Sequence, residues 1–351
     1  MSISEAKKVG KHENALGSTE LWTKKKIAAR CVAAALYALH DVNTATGWKW
    51  FRRAEAMQKC GDEIIMSKCN DCGHTEIRAW RCRDRLCPIC QWRLSLQRFS
   101  TLNAVHGLME QKEQNYRVAL ITLTLRNVDG PQLDGAVKRI LDGWGKLTKL
   151  RTWQRWVKGF ARSVELTRSK DGTYHPHLHA LVYFAPTYDK EITTFDLVQM
   201  WRNSCALDYD PVCYMQFAYR KGKRKVDVRG SDHWKGRKWA DVIAEATKYA
   251  MKAELLTTAT PTEIVTVDNA LAGKRLISYG GIVRELRKEL GLQTDDEADT
   301  DTTAFGNCKL CGSEDTIELA YTWAVHSYRL TDSVPSHQRV KPPLTGGEDA
   351  E

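Results

Sequence analysis

Residues 117–126 alternate between apolar and polar side chains, which is the pattern of a β-strand with one buried face. Every second position from Ala119 to Leu125 is apolar, and the positions between them include Thr122 and Thr124. Successive side chains of a strand point to opposite sides of a sheet, so we expect both threonines on the face opposite the apolar one.

Residues 177–184 are also predicted to form a strand, and two histidines occupy one of its faces. His177 and His179 share that face, whereas Leu178 and Phe184 point to the other. Two imidazoles about 7 Å apart along a strand can begin a metal site, since neutral imidazole binds Mn, Fe, Ni, Cu or Zn and tolerates Mg less well. A hydrogen-bonded pair of structural histidines is the alternative interpretation.

A second strand is predicted over residues 159–168, followed by a turn at Asp171 and Gly172. This strand and the histidine strand then form a β-hairpin. If the turn centres on Gly172, antiparallel pairing places Glu165 opposite His179 on the same face. A slip of one residue would turn the carboxylate away.

Periodicity elsewhere in the chain completes the predicted fold. Helices are predicted over residues 27–42, 92–111, 132–157, 191–204 and 237–256, and further strands near residues 213–219 and 224–229. The order β-α-β-β-α-β-α in the central part predicts an α+β fold, with a mainly antiparallel sheet and helices on its faces.

Composition divides the chain into four regions. The first two are a helical N-terminal region (1–55) and a cysteine-rich, zinc-binding module (56–98). The last two are a central α+β domain (99–290) and an acidic linker with a C-terminal tail (291–351). The linker itself lies near residues 295–301.

The charge of the chain is unevenly distributed. The net charge is +10, but the last 61 residues carry −8, so the preceding 290 residues carry +18. A body this basic favours a polyanionic partner, most simply nucleic acid, because neutralised phosphates release counterions. A basic surface that serves only solubility is the alternative.

Residues 1–14 are polar, and the apolar run at residues 31–39 is too short to cross a bilayer. We therefore expect a cytoplasmic protein without a membrane partner. In that reducing compartment, clusters among the eleven cysteines are expected to bind metal or take part in catalysis rather than to form disulfides.

Two Cys-x2-Cys pairs, Cys69 with Cys72 and Cys87 with Cys90, are separated by fourteen residues. This spacing is typical of a structural zinc site, in which four thiolates form a closed tetrahedron. Buried free thiols are the alternative.

Four further cysteines are candidate zinc ligands. Cys60 and Cys82 could replace one of the four thiolates or help to hold a second ion. Cys308 and Cys311 form another Cys-x2-Cys knuckle without a second pair after it, and two unpaired thiols explain it equally well.

Two basic segments are candidate DNA-contact surfaces. Arginines near Trp80 and Trp92 predict a surface for duplex DNA, although a purely structural finger has the same pattern. A basic run after residue 219, with nearby tryptophans, could follow a phosphate backbone and stack on unpaired bases, or form a solvated hairpin tip. The candidate residues are Arg83, Arg85, Arg93, Arg220, Lys221, Lys223, Arg224 and Lys225.

The predicted helix over residues 237–256 places a carboxylate, a phenol and an ammonium on one stripe. Glu245, Tyr249 and Lys252 fall at positions i, i+4 and i+7. A solvated helix face with a packed tyrosine ring has the same pattern. If the helix lies over the histidine strand, the tyrosine hydroxyl could attack a phosphate that a divalent cation activates.

Four sequence pieces occur in this order: residues 82–93 with three cysteines, Leu-Ile-Thr-Leu-Thr-Leu at 120–125, His-Pro-His-Leu-His at 175–179, and Glu-Ala-Thr-Lys-Tyr at 245–249. With them the chain resembles the rolling-circle plasmid replication initiators of the HUH endonuclease superfamily, specifically the single-tyrosine class with an N-terminal cysteine module. The resemblance covers residues 60–255 and implies a ferredoxin-like or RRM-like palm.

The resemblance implies a catalytic site on that palm. His177 and His179 would bind Mn²⁺ or Mg²⁺, with Glu165 as the best third ligand and His175 as its competitor. Tyr249 would displace the 3′-oxygen of the scissile phosphate, giving a 5′-phosphotyrosine and a free 3′-hydroxyl that can prime replication.

In the single-tyrosine class, a glutamate at the position of Glu245 is thought to be the general base for the terminating cleavage, and Lys252 would neutralise charge on the phosphate. The implied partners are origin DNA, single-stranded or as a hairpin at the nick site, a host helicase and the replication machinery. An HUH transposase or relaxase, or a non-catalytic, zinc-containing DNA-binding regulator, remains an alternative function.

Overall fold

The computed structural model describes residues 19–40, 44–189, 191–219, 237–247, 253–292, 307–308 and 311–335. These residues fall into two compact units. The first unit contains residues 19–30, 55–82 and 307–335, and the second contains residues 31–54 and 83–292, with the gaps just given.

Helices and strands are numbered separately in chain order. The helices are α1 (Thr19–Tyr37), α2 (Ala45–Lys59), α3 (Pro88–Gln111), α4 (Leu133–Leu147), α5 (Arg151–Trp156), α6 (Thr194–Cys205), α7 (Trp239–Ala246), α8 (Ala253–Thr257), α9 (Pro261–Leu271) and α10 (Ile282–Glu289). The strands are β1 (Glu63–Cys69), β2 (Thr75–Ala79), β3 (Arg117–Thr124), β4 (Val157–Arg168), β5 (Tyr174–Phe184), β6 (Cys213–Tyr219), β7 (Arg237–Lys238), β8 (Ile277–Gly281), β9 (Thr316–Ala324) and β10 (Ser327–Pro335).

The first unit contains an antiparallel sheet of four strands in the order β10-β9-β1-β2. Its central pair, β1 and β9, comes from opposite ends of the chain. Lys26 of α1 is fully buried and donates hydrogen bonds to the carbonyls of Gln58 and Cys60, and its ammonium lies 2.6 Å from the carboxylate of Asp62. A buried charge is tolerated there because its donors are satisfied.

The second unit contains a sheet of six strands in the order β7-β6-β3-β5-β4-β8. All neighbouring strands pair antiparallel except β6 and β7, which pair parallel. The predicted α+β fold with a mainly antiparallel sheet is confirmed. The histidine strand, β5, lies near the middle of the sheet, where β3 and β4 flank it and form hydrogen bonds with both of its edges.

Helices cover both faces of the six-stranded sheet. On one face, the alternate apolar residues of β3 and β5, such as Ile121 and Ala180, pack against α4 and α6. On the other face, Leu120 and Leu181 pack against α3, α7 and α10. β3 and β5 are therefore buried on both faces where these helices cover the sheet, not on one face as their alternation predicted.

The hairpin between β4 and β5 forms as predicted, but its register differs by two residues. Glu165 is opposite His177 rather than His179, and Ser163 is opposite His179. The reason lies in the turn, where Gly172 has a positive φ of +87° and the N–H of Ser169 donates to the carbonyl of Thr173. A shift of two residues keeps Glu165 on the histidine face, since side chains alternate with period two.

Several predicted elements change at their ends. The helix expected from residue 92 begins at Pro88, where proline is tolerated because its missing N–H has no partner in the first turn. The helix expected over residues 132–157 is two helices, α4 and α5. Residues 316–335, assigned to an acidic linker and tail, form the β9–β10 hairpin.

Other predictions fall on parts of the chain that the structure does not describe. These are the strand at residues 224–229, the middle of the helix over 237–256, and the linker at residues 295–301. Among the described helices, none combines the length and the apolar character needed to span a membrane.

A glycine in α4 provides a test of the packing between α4 and α6. A Cβ atom on Gly143 would lie 2.2 Å from the Sγ of Cys205 and 3.3 Å from the ring of Trp201. We therefore expect Gly143→Ala to lower the free energy of unfolding by about 1 to 3 kcal/mol, the usual cost of overpacking. Urea denaturation followed by circular dichroism measures this change.

The matched control is Gly145→Ala in the same helix, where a Cβ atom would meet nothing within 4 Å. Alanine should stabilise the helix there, by at most about 1 kcal/mol. Equal effects of the two substitutions would contradict the described packing of α4 against α6.

Candidate functional site

Polar side chains form two rows across the second face of the sheet, beyond the apolar residues that contact α3 and α10. In one row, Tyr214 of β6, Thr122 of β3 and His179 of β5 are successive cross-strand neighbours. In the next row, His177 lies between Thr124 and Glu165. The antiparallel register thus brings four strands to one polar patch.

The two imidazoles converge on one carboxylate. The Oε2 atom of Glu165 lies 3.4 Å from Nε2 of His177 and 3.1 Å from Nε2 of His179. The candidate ligand atoms of these three residues all lie within 4.8 Å of one another. Two imidazole nitrogens and one carboxylate oxygen in this arrangement can hold a divalent transition metal and leave further coordination positions open.

The other ring nitrogens of both histidines are also engaged. Nδ1 of His177 lies 3.2 Å from the carbonyl of His175, and Nδ1 of His179 lies 3.1 Å from the hydroxyl of Thr122. A carbonyl can only accept a hydrogen bond, so the neutral His177 ring carries its proton on Nδ1. Its Nε2 atom faces Glu165, where a charged ring donates a hydrogen bond to the carboxylate and a neutral ring offers a lone pair to a metal ion.

His175, the competing ligand, does not belong to this cluster. Its Nδ1 lies 2.8 Å from the side-chain oxygen of Asn127, whose amide group donates to Ser169 and Thr173 near the hairpin turn. Burial, together with the charge of His177, lowers the pKa of His175. The geometry therefore favours Glu165 as the third ligand.

Glu165 is buried and ionised. Burial alone would raise the pKa of its carboxyl group, but hydrogen bonds from His177 and His179 and their charges hold this pKa far below its usual range. The carboxylate is therefore available as a ligand at neutral pH.

Helix α7 lies over the histidine strand and brings a second carboxylate to the patch. Oε1 of Glu245 lies 3.6 Å from Nε2 of His179. The hydroxyl of Ser163 on β4 donates to the carbonyl of Ala246 at 3.0 Å, which fixes the last turn of the helix on the sheet. Tyr249 and Lys252 lie outside the described residues.

An open cavity of about 430 Å³ lies above these groups. Besides the histidines and both glutamates, Val212 and Tyr214 line it, with 54% and 58% of their surface exposed. Sequence reasoning assigned no role to Asn127 or Tyr214. The alternation of residues 213–219 could have placed Tyr214 on the polar face, but only the strand order makes it a neighbour of Thr122.

The predicted DNA-contact residues are only partly described. Arg220, Lys221, Lys223, Arg224 and Lys225 lie outside the described residues. Arg83 and Arg85 are exposed and Arg93 is half-buried. Arg83 has a positive φ of +55°, and Arg85 donates to the carbonyl of Leu271.

The cysteines are grouped differently from the prediction. Cys69 and Cys72 lie beside the C-terminal knuckle, Cys308 and Cys311, in the first unit, and the four sulfur atoms lie within 4.8 Å of one another. The predicted partners of the first pair, Cys87 and Cys90, belong to the second unit. The thiols beside Cys69 and Cys72 are therefore those of the C-terminal knuckle, because the pairing of β1 with β9 brings that knuckle to them.

The other four candidate zinc ligands are buried or half-buried. Cys87 and Cys90 are buried at the start of α3 in the second unit. Cys60 is buried and Cys82 half-buried in the first unit.

Comparison with known proteins identifies the family. A model described as "Replication protein" matches residues 75–330, well over half of the chain. The chain belongs to this replication protein family. The match includes every residue of the metal-ligand cluster, so the candidate site lies within the part of the chain that the family shares.

Individual relatives agree with this assignment. The chain is 31% identical to "Protein rep" of Lentilactobacillus hilgardii over 253 residues, which cover 69% of this chain and 77% of that relative. It is 30% identical to "Protein rep" of Bacillus amyloliquefaciens over 299 residues, which cover 80% of this chain and 85% of that relative. No solved structure matches the chain.

A second family model, described as "Transposase zinc-binding domain", matches residues 37–111. This range contains six of the cysteines, from Cys60 to Cys90. The match and the thiol cluster in the first unit together support a structural zinc-binding module in this replication protein.

The environment of Glu165 predicts how stability depends on pH. A carboxyl group whose folded pKa is depressed stabilises the fold above its unfolded pKa of about 4.3, and this contribution is lost as the pH falls toward the folded pKa. In metal-free protein, Glu165→Gln should therefore lower the free energy of unfolding by roughly 3 kcal/mol at pH 7 and by progressively less below pH about 4. Urea denaturation of the wild type and of Glu165→Gln, at pH 7 and below pH about 4, measures the difference in their free energies of unfolding. A difference that does not become smaller in acid would contradict an ionised Glu165.

Proposed function

We propose that this replication protein initiates replication by cutting one DNA strand at an origin through metal-assisted attack of a tyrosine on a phosphate. The observation that supports the proposal most is the convergence of two imidazole nitrogens and a buried carboxylate in an open cavity, with Glu245 at its edge. A hydrogen-bonded pair of structural histidines would account for the carboxylate but not for the open cavity beside it.

The donor set fits a divalent cation. Glu165, His177 and His179 would hold Mn²⁺ or Mg²⁺, and the mixed nitrogen and oxygen ligands favour Mn²⁺. When bound, the ion would supply Lewis-acid polarisation of the scissile phosphate. Hydrogen bonds to Thr122 and to the His175 carbonyl keep the two imidazoles oriented toward the shared position.

Tyr249 is the proposed nucleophile. It follows Glu245 by four residues, the spacing that places two side chains on the same side of a helix. Its oxygen forms a bond to phosphorus and gives up its proton, and the bond from phosphorus to the 3′-oxygen breaks. The leaving oxygen keeps the electron pair and takes up a proton, so the products are a 5′-phosphotyrosine and a free 3′-hydroxyl.

Glu245 and Lys252 would act in the same reaction. Glu245 is the proposed general base, which takes a proton from water in the cleavage that terminates replication. Lys252, seven residues after Glu245, would neutralise charge on the phosphate.

The DNA around the scissile phosphate is proposed to be single-stranded or at the tip of a hairpin. Exposed Tyr214 offers a ring for stacking on an unpaired base beside the metal ligands. The basic run from Arg220 to Lys225 follows β6 in the sequence and would contact the DNA backbone. A host helicase and the replication machinery would act on the primed product.

The nucleophile can be tested with an oligonucleotide that forms the origin hairpin, in the presence of Mn²⁺. Tyr249→Phe should abolish the covalent protein–DNA adduct seen on denaturing gels, because the phenolic oxygen is lost. Tyr214→Phe is the matched control: Tyr214 is the exposed phenol in the cavity, and its ring should still stack after the change. Glu245→Gln should form the adduct normally and fail only in the terminating cleavage.

The reverse pattern, with adduct lost in Tyr214→Phe and kept in Tyr249→Phe, would assign the nucleophile to Tyr214. Equal loss of both cleavages in Glu245→Gln would place Glu245 in metal binding or folding instead of proton transfer.

The orientation of His179 can be tested separately from catalysis. Thr122→Val removes the hydroxyl next to Nδ1 at nearly constant volume, so Mn²⁺ affinity measured by calorimetry or electron paramagnetic resonance should fall about 10- to 100-fold. Thr122→Ser keeps the hydroxyl and should bind Mn²⁺ nearly as well as the wild type. Equal affinities of the valine and serine variants would show that the hydroxyl does not orient the ligand.

The match to a transposase zinc-binding domain favours a second candidate, an HUH transposase with the same chemistry on other DNA. An assay with paired element ends would give strand-transfer products for a transposase and none for an initiator. A third candidate, the non-catalytic regulator, would shift single-stranded DNA on a native gel without forming a covalent adduct.

A further inference from the structure

We propose that a structural zinc ion is bound by Cys69, Cys72, Cys308 and Cys311. The ion would join the β1–β2 hairpin to the segment that precedes β9 within the first unit. The Sγ atoms of Cys69 and Cys311 are 3.6 Å apart, and those of Cys72 and Cys308 are 3.5 Å apart. Four thiolates around zinc, at about 2.3 Å from the ion, are about 3.8 Å from one another, so the cluster already has nearly the required size.

The same backbone hydrogen bond closes both knuckles. In each, the N–H of the glycine after the second cysteine donates to the carbonyl of the first, from Gly73 to Cys69 at 3.0 Å and from Gly312 to Cys308 at 2.7 Å. Both glycines have a positive φ, +71° and +76°. A turn closed in this way lets two cysteines separated by two residues direct their sulfurs to one point. Because both knuckles are closed in this way, four thiols can form one site.

Contacts within the first unit hold the two knuckles together apart from any ion. Strand β1 pairs with β9 along its whole length, and Cys69 lies opposite Thr316. The N–H of Asn70 donates to the carbonyl of Asp315 at 2.9 Å, and its side-chain amide donates to the carboxylate of Asp315 at 2.7 Å. The site is therefore preorganised, and an ion would bind without moving the backbone.

The ligand set extends beyond the matched zinc-binding domain. That match ends at residue 111, so it contains Cys69 and Cys72 but neither cysteine of the C-terminal knuckle. The proposed ion would thus fasten a segment more than 230 residues away to the N-terminal β1–β2 hairpin. Two disulfides between the same pairs are the chemical alternative, because the paired sulfurs are adjacent.

The test uses the full-length protein, purified under reducing conditions without chelator. The double variant Cys308→Ser/Cys311→Ser should contain one zinc fewer per chain than the wild type by elemental analysis. Cys31→Ser, which removes an exposed thiol of α1, is the control and should retain all the zinc. Limited proteolysis should release the C-terminal segment from the double variant faster than from the control.

A second variant keeps the test valid if the double variant folds poorly. Cys311→His supplies a nitrogen ligand in place of sulfur, so it should keep the zinc. After Co²⁺ replacement it should show a weaker thiolate-to-metal absorption than the wild type. An unchanged zinc count in the double variant, or native protein in which these four thiols are oxidised in pairs, would overturn the proposal.

Discussion

The candidate active site depends on the pairing register of the β4–β5 hairpin. Glu165 meets His177 and His179 only when the two strands pair with an even offset, because an odd offset would turn the carboxylate into the apolar core on the other face. That core opposes such a slip, since it would bury the charged group and expose Leu166 and Val164. The same apolar packing that stabilises the sheet therefore places the candidate metal ligands.

The second face of the sheet changes character along its strands. Leu120 and Leu181 pack against α3 and α10 at one end, and in the next row of that face the strands carry Thr122, two residues after Leu120, and His179, two residues before Leu181. Helix α7 covers the transition, with Val242 and Ile243 in the core and Glu245 near the histidines. A rigid apolar base next to an open polar cavity suits the proposed site, which would hold its metal ligands firmly and admit a DNA strand.

Sequence reasoning predicted the faces of β3 and β5 and the hairpin of β4 with β5, because alternation and turn signals depend only on neighbouring residues. It placed Glu165 correctly on the histidine face, but the turn shifted its partner by two positions. The proximity of Cys72 to Cys308 could not be predicted from local patterns. It results from the pairing of β1 with β9, which are more than 200 residues apart in the sequence. Local patterns indicate which residues can bind metal; only the sheet order shows which bind together.

The two proposed metal sites differ in the way that their chemistry requires. Four thiolates from two tight knuckles complete a tetrahedron and leave no position for a substrate, so an ion there can only stabilise structure. Two imidazoles and one carboxylate leave positions open, and the adjacent cavity gives a phosphate access to them. The ligand types agree with this division, because soft thiolates retain zinc, whereas Glu165 and the histidines allow Mn²⁺ or Mg²⁺ to exchange. A single protein can thus keep a structural ion while a second ion takes part in catalysis.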